Sequence, residues 1–324
     1  MLLQGCTTPS SAPRLDRYEF ARAAMGTQFR ITLYAPDQQA ARSAADTAFD
    51  RIDTLDDILS DYQADSELSL LREAPPGIPV KASQDLLDVL CQARAVSRKT
   101  QGVFDVTFGP YTRLWRFSRK RKTLPGPAEI EEARRSVGFE KLLLDESART
   151  VTMTVPGMRL DVGGIAKGYA ADEALLNLQS LGFRRALVAA SGDIAIGDPP
   201  PGQKGWTVAV SYPGASDTNH VRKFTLRNAG ISTSGDTEQF IEINRVLYSH
   251  ILDPATGHGM TNRVQATVIA PCATVSDSLA TALRILGPER GAGVIANFPH
   301  TVATIITFEH GRTNLSVLSG HRGK

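Results

Sequence analysis

The densest chemistry in the sequence lies in Asp161-Val162-Gly163-Gly164-Ile165-Ala166-Lys167-Gly168. An acid closes a predicted strand (Met158 to Val162), two glycines follow, and a helix begins. Glycines let backbone approach a ligand closely. The free N–H groups of a helix start favour anions such as phosphate. Lys167 adds a fixed positive charge in the first turn. The pattern is neither GxGxxG nor GxxxxGK[ST], so neither nucleotide fingerprint applies. Its plainer reading is a glycine-rich turn with a surface lysine. Asp277 and Thr281 stand at i and i+4 on one predicted helix. They can share a hard, oxygen-seeking cation such as magnesium, or be a dipole-favoured carboxylate and a threonine bonded back to its own helix. His250 precedes Leu252-Asp253-Pro254. It is a candidate general base, titrating near working pH, or a histidine held by ordinary hydrogen bonds. Ser191-Gly192-Asp193 can offer backbone N–H groups to a phosphate or be a plain turn. Asp61-Tyr62 and Phe104-Asp105 each pair an aromatic ring with an acid, a combination that can stack and hydrogen-bond a planar ring.

These residues need elements to position them. Ala166, Ala170, Ala174 and Leu178 recur at i+4, so the central helix has one closely packing face, and Gly182 suits its stop. Ala41, Ala45, Ala48, Ile52, Leu55 and Leu59 mark an amphipathic helix ending at Ser60-Asp61-Tyr62. Ser83 caps a second, with Leu86, Leu90 and Ala93 inward. Thr100 to Asp105 reads as a turn and strand start, and a short helix is predicted over 128–137. The helix over 274–286 stops at Gly287-Pro288. Strands are predicted at Phe29–Tyr34, Arg185–Ala190, Trp206–Tyr212, Arg222–Leu226, Gln239–Ile243, Val264–Ala270 and Val302–Phe308. Helices early and strands late imply an α+β fold with a largely antiparallel sheet and packed helices. No linker divides Phe20 to Lys324, so residues 20–324 form a single unit after an N-terminal segment of residues 1–19.

The 324 residues are 42% hydrophobic and 22% charged, the profile of a globular chain, and a net charge of +2 gives no sign of a nucleic-acid partner. The dense basic run Arg116 to Lys122 reads as a solvated loop, with anionic lipid or an acidic partner as the alternative. Three widely spaced cysteines, Cys6, Cys91 and Cys272, make neither a disulfide framework nor a metal cluster. Cys91 and Cys272 read as structural. No stretch is long and apolar enough to span a bilayer. Leu3-Gln4-Gly5-Cys6 resembles a bacterial lipobox followed by a Ser/Thr/Pro tether over residues 7–17. Gln4 is unusual there and no basic and apolar signal region precedes it, so either the start lies upstream of Met1, the reading favoured by the motifs that follow, or the resemblance is chance.

Taken in order, several stretches resemble the ApbE family of FAD:protein FMN transferases. They are Ala24-Met25-Gly26-Thr27, Leu59-Ser60-Asp61-Tyr62 with Asp65-Ser66-Glu67-Leu68-Ser69, Gly102-Val103-Phe104-Asp105, the Asp161–Gly168 stretch, Ser191-Gly192-Asp193, Ser249-His250-Ile251-Leu252-Asp253-Pro254-Ala255-Thr256-Gly257, and Asp277-Ser278-Leu279-Ala280-Thr281. The resemblance runs from about Ala24 to about Gly287. It implies cleavage of FAD at its pyrophosphate and attachment of FMN, as a phosphoester, to a Ser or Thr of an acceptor protein. It also implies a magnesium requirement and, for many members, a lipid anchor on the periplasmic face of a bacterial inner membrane. Carried over by motif, Met25 and Tyr62 hold the flavin ring. Val103, Phe104, Asp105, Asp161, Lys167 and Ile251 line the FAD site. Asp277, Thr281 and carbonyls near Gly164 and Ala280 bind the metal, and His250 deprotonates the acceptor hydroxyl. Two departures are Ser191 where many members have glycine and Val106 where proline is common. An FAD pyrophosphatase and a non-catalytic FAD-binding lipoprotein remain alternatives. Expected acceptors are flavin-bearing subunits of membrane reductases or exported electron carriers.

Overall fold

The structure, a computed structural model, describes residues 14–211, 221–235, 240–309 and 312–320. The lipobox stretch with Cys6, and the predicted strand ends Tyr212 and Gln239, lie outside them. Two strands open the described chain. β1 (Asp16–Ala24) and β2 (Thr27–Ala35) form a hairpin whose tight turn is Met25-Gly26, both at positive φ (49° and 69°). That is the two-residue geometry matching strand twist. β1 begins inside the segment read from sequence as a tether. α1 (Gln38–Leu59) follows, its start capped by Asp37, which accepts from Ala40 N at 2.8 Å. Its predicted apolar face is fully buried. Next come α2 (Glu67–Leu70), β3 (Val80–Lys81) and α3 (Gln84–Lys99), the last capped by Ser83 as expected.

The middle of the chain departs from the sequence reading. Thr100 to Asp105 leads into a single 3-10 turn (Val106–Phe108) rather than a strand. The cause is Asp105, whose carboxylate accepts from Thr107 N at 2.8 Å and from Thr107 Oγ1 at 2.7 Å, curling the backbone. α4 (Gly109–Arg121) takes up most of the basic run expected to be a loop. Tyr111, Trp115 and Ser118, at helical spacing, are its buried anchors, so the arginines and lysines between them are one face of a helix. α5 (Pro127–Arg135), β4 (Leu142–Asp145) and β5 (Thr150–Met153) follow. Met158, Leu160 and Val162 alternate inward as a strand would, but the segment joins no ladder. Its backbone is instead tied to the 3-10 turn far back in the chain, Asp161 N donating to Val106 O at 2.7 Å.

α6 (Ala166–Ser180) buries Ala166, Ala170, Ala174 and Leu178, and Gly182 at φ +92° closes it. Then come β6 (Ala186–Ala190), β7 (Asp193–Ile196), β8 (Trp206–Ser211), β9 (Val221–Leu226), β10 (Ala229–Ser234), β11 (Phe240–Ile243), β12 (Val246–Ser249) and β13 (Arg263–Ala270). α7 (Ala273–Ile295) breaks where predicted, at Gly287, but a second helical segment continues from Pro288. β14 (Val302–Glu309) and β15 (Arg312–Ser319) complete the chain.

Eight strands build the main sheet in the order β1-β2-β6-β7-β10-β13-β14-β15. Every neighbouring pair is antiparallel, in keeping with the α+β expectation. Alternate residues of β6 point to opposite faces. Val188 and Ala190 join the main core with α1, α6 and α7. Leu187 meets Trp206, Val208 and Val210 of the β8–β9 hairpin on the other side. The helices α6 and α7 cross where Gly168 leaves no room for a side chain. A Cβ there would lie 2.4 Å from Ala273 O and 2.8 Å from Asp277 Cβ.

Candidate active site

The crossing of α6 and α7 brings Lys167, Asp193 and Asp277 together. Lys167 is in the first turn of α6, where the helix dipole disfavours a cation. Two carboxylates offset that cost: Lys167 Nζ sits 2.8 Å from Asp193 Oδ2 and 3.7 Å from Asp277 Oδ2. Asp193 is delivered by the β6–β7 turn, whose Ser191 takes a positive φ of 56°. Asp277 projects from α7 and accepts from Gly168 N at 3.0 Å. Both carboxylates are buried, at 5% and 4% exposure. Burial, then the Asp193 charge, pushes the Asp277 carboxyl up to about 7, while Lys167 pulls the other way. Burial also works against the Lys167 charge, but Asp193 and Asp277 outweigh it and hold the ammonium above its ordinary value.

The glycine pair forms the adjacent wall. Asp161 Oδ1 accepts from Gly163 N at 2.9 Å, fixing the turn, and Lys167 Nζ donates to Gly163 O at 3.4 Å. A Cβ on Gly164 would lie 3.2 Å from both Thr281 Oγ1 and Phe104 Cε2, so this backbone and the threonine hydroxyl are neighbours. The donor set suits magnesium: a buried carboxylate, a hydroxyl and nearby carbonyls, all oxygen. Burial and the Asp193 charge disfavour the ionised Asp277 carboxylate, and a cation bound there would favour it. Among the described residues no three His, Cys, Asp or Glu side chains converge as a metal cluster, so an ion here would rest mostly on neutral oxygens. The α7 end of the site is held by Asp172 of α6. Its carboxylate accepts from Ala273 N (2.9 Å), Thr274 N (2.7 Å) and Thr274 Oγ1 (2.6 Å).

A profile of one protein family, described as the ApbE family, matches residues 25–306. The chain belongs to the ApbE family. Among its relatives, an FAD:protein FMN transferase of Vibrio cholerae is 30% identical over 315 residues, covering 96% of this chain and 92% of that protein. One from Klebsiella pneumoniae is 30% identical over 303 residues, covering 91% and 86%. The crystal structure of Pseudomonas stutzeri flavinyl transferase ApbE in its apo form superposes with a TM-score of 0.82 at 26% identity, over 94% of this chain and 95% of that one. The flavin transferase ApbE of Vibrio cholerae gives 0.83 at 27%, over 94% and 98%.

The other residues singled out from the ApbE motifs fall around this centre in distinct ways. Met25 occupies the β1–β2 turn and donates its N–H to Asp56 Oδ2 at 3.0 Å, which docks the turn on the last turns of α1. Tyr62 follows the end of the same helix and is 81% exposed, its ring capped by the Arg116 guanidinium at 4.0 Å. Val103 and Phe104 are buried, Phe104 against Gly164. The Asp105 carboxylate accepts from Thr107 and, through Oδ2, from Phe139 N at 2.9 Å. His250 is exposed at the start of the loop after β12, and Ile251 beside it is buried. That loop is gripped by α4 and α5: Leu252 packs with Tyr111, Trp115 and Ile130, and Arg134 donates to Ala255 O at 3.0 Å. Cys91 and Cys272 are half-buried, and burial pushes each thiol up to about 11, consistent with structural roles.

Asp193 and Asp172 are the residues of this cluster whose side chains sequence reasoning passed over. Asp193 lay in a stretch valued for its backbone N–H groups, and the clue was an acid entering a buried strand. Asp172 had no signal, since its partners are a hundred residues away in sequence.

Proposed function

We propose that this ApbE-family protein is a magnesium-dependent FAD:protein FMN transferase. A Ser or Thr hydroxyl oxygen of an acceptor protein bonds to the FMN phosphorus of FAD. The bond from that phosphorus to the bridging oxygen breaks, and AMP leaves with that oxygen. His250 takes the hydroxyl proton, because a neutral hydroxyl is a poor nucleophile. Lys167 and the N–H groups at Gly163 and Gly164 share the pyrophosphate charge. Tyr62, 81% exposed, offers a face for the planar flavin. Asp277, Thr281 and the carbonyls of Gly164 and Ala280 would hold magnesium, which supplies charge neutralisation at the pyrophosphate.

The observation that carries this reading is the buried Asp193–Asp277 pair with its single ammonium beside the Gly163-Gly164 turn. Phosphoryl transfer needs positioning and charge neutralisation more than covalent help, and this cluster offers both. Incubation with FAD, magnesium and a candidate acceptor tests it, with the acceptor's mass read by mass spectrometry. Flavin bound covalently to the acceptor with release of AMP is the expected result. FMN and AMP free in solution would make the protein a pyrophosphatase, and FAD bound without turnover would make it a carrier. We also propose that Cys6 carries a lipid anchor and that the enzyme works on the periplasmic face of the inner membrane. This rests on Leu3-Gln4-Gly5-Cys6 and its tether alone. Mass spectrometry of the N-terminus in cells tests it.

A further inference from the structure

Beside Tyr62 lies a pocket of about 170 Å³ lined by Arg72, Arg113, Arg116 and Arg159, together with Asp61, Met153 and Leu160. The fold forces these charges together. Gly109, at the start of α4, packs on Arg159 so closely that a Cβ would lie 2.5 Å from Arg159 O. This sets Arg113 and Arg116, one and two turns along the helix, beside Arg159. Two of the four have carboxylate partners. Arg116 bonds Asp61 at 2.5 Å, and Arg72 bonds Glu73 at 3.1 Å. Arg113 and Arg159 have no carboxylate within salt-bridge distance among the described residues. Arg159 is half-buried, and burial followed by the charges of Arg113 and Arg72 holds its guanidinium below the ordinary value. Like charges crowded into a concavity, two of them without a carboxylate partner, cost stability unless a ligand uses them.

We propose that this arginine pocket receives an acidic side chain from a polypeptide, and that it docks the acceptor protein beside the flavin site. This rests on the flavin-transfer reading. Guanidinium groups match carboxylates with paired hydrogen bonds, and arginine clusters are a recurrent way to read acidic motifs. Size and continuity favour a polypeptide over a small anion. The basic surface does not end at the pocket but runs on along α4 through Phe117, Lys120 and Arg121, with Arg113 and Arg121 against the Phe117 ring. Phe117 is 44% exposed, and an exposed aromatic among arginines is the make-up of a protein-binding hot spot. The pocket reaches the flavin side through one shared residue. Arg116 lines it, caps Tyr62 and bonds Asp61, which also feels the Asp161 charge.

The test is fluorescence anisotropy with a labelled octapeptide carrying three aspartates around a threonine, against the same peptide with asparagines. The acidic peptide should bind saturably and the asparagine peptide should not. Arg113→Gln/Arg159→Gln should weaken binding at least about tenfold. Lys120→Gln/Arg121→Gln, which removes the same charge from the same helix outside the pocket, should weaken it less than about threefold. FAD titrations run in parallel should match the parent in both variants, which establishes that they fold. Equal losses in the two variants would mean diffuse electrostatics and overturn the pocket. So would an absence of saturable peptide binding, including the case where inorganic phosphate or phosphatidylglycerol vesicles bind in an Arg159-dependent way instead. A parent chain that binds no FAD would sink the flavin-transfer reading and leave the peptide result standing on its own.

Discussion

Asp277 and Asp193 face one ammonium, and a single substitution can ask whether charge or shape matters there. Asp277→Asn keeps the shape and removes the charge. Magnesium-stimulated FMN transfer should be lost, and magnesium binding by calorimetry should fall with it; parental values in both would return Asp277 to a plain buried carboxylate. His250→Ala should lower transfer by roughly 10²–10⁴-fold, the usual contribution of a positioned base, with FAD affinity unchanged. Tyr62→Ala should weaken FAD binding by about threefold to tenfold, matching roughly 0.5–1.5 kcal/mol for aromatic stacking. At 81% exposure its ring contributes little to the core, so a fluorescence titration of FAD, and not a melting curve, should report the change.

At the scale of elements, the site depends on how α6 meets α7. Gly168→Ala improves intrinsic helix propensity by about 1 kcal/mol. The added Cβ would meet Ala273 O at 2.4 Å, a backbone atom that cannot step aside. Overpacking costs about 1–3 kcal/mol, so steric conflict should win and urea should unfold the variant at lower concentration. Asp172 works on the same junction, giving the start of α7 a carboxylate cap that its own Cys272 does not supply. Its removal in Asp172→Ala should cost about 1–2 kcal/mol, the range for a lost cap.

Across the whole molecule, three helices distant in sequence are pinned by Arg51. It reaches from α1 to Asp85 of α3 (2.5 Å) and to Glu173 of α6 (2.5 Å), and Tyr169 OH donates to Asp85 at 3.1 Å. The Arg51 hydrogen bond is the main reason the Asp85 carboxyl is held below its ordinary value; burial opposes it. A depressed carboxylate contributes its stability above its unfolded pKa, about 3.9, and loses it as pH falls through the lower folded value. Arg51→Met should therefore cost stability at pH 7. The cost falls between an exposed pair and a fully buried one, about 1–3 kcal/mol, because each partner keeps about a quarter of its side chain exposed. Chemical denaturation at a series of pH values should show the gap narrowing only below about pH 4. A gap that stays constant through that range would mean the loss is packing alone.

What could be read without the structure was local or carried by whole motifs. The alanine face of α6, the apolar face of α1 and the Ser83 cap follow from 3.6-residue periodicity and hydrogen-bonding chemistry, which act over a few residues. The ordered motifs from Ala24 to Thr281 pointed to the ApbE family, and the domain match and relatives bear that out. Where long-range packing competes with local pattern, the sequence was silent or misleading. Met158 to Val162 alternates as a strand does, yet strand pairing needs a partner edge, and none is offered to it. The basic run after Tyr111 looked like solvated loop because its charges outnumber its anchors. Only the buried side of Trp115 and Ser118 shows a helix, and only the close approach of Gly109 to Arg159 turns that helix's arginines into a pocket. The same holds for Lys167, Asp193 and Asp277. Each was visible as a residue, but their meeting depends on a sheet turn and a helix crossing that no spacing along one chain can encode.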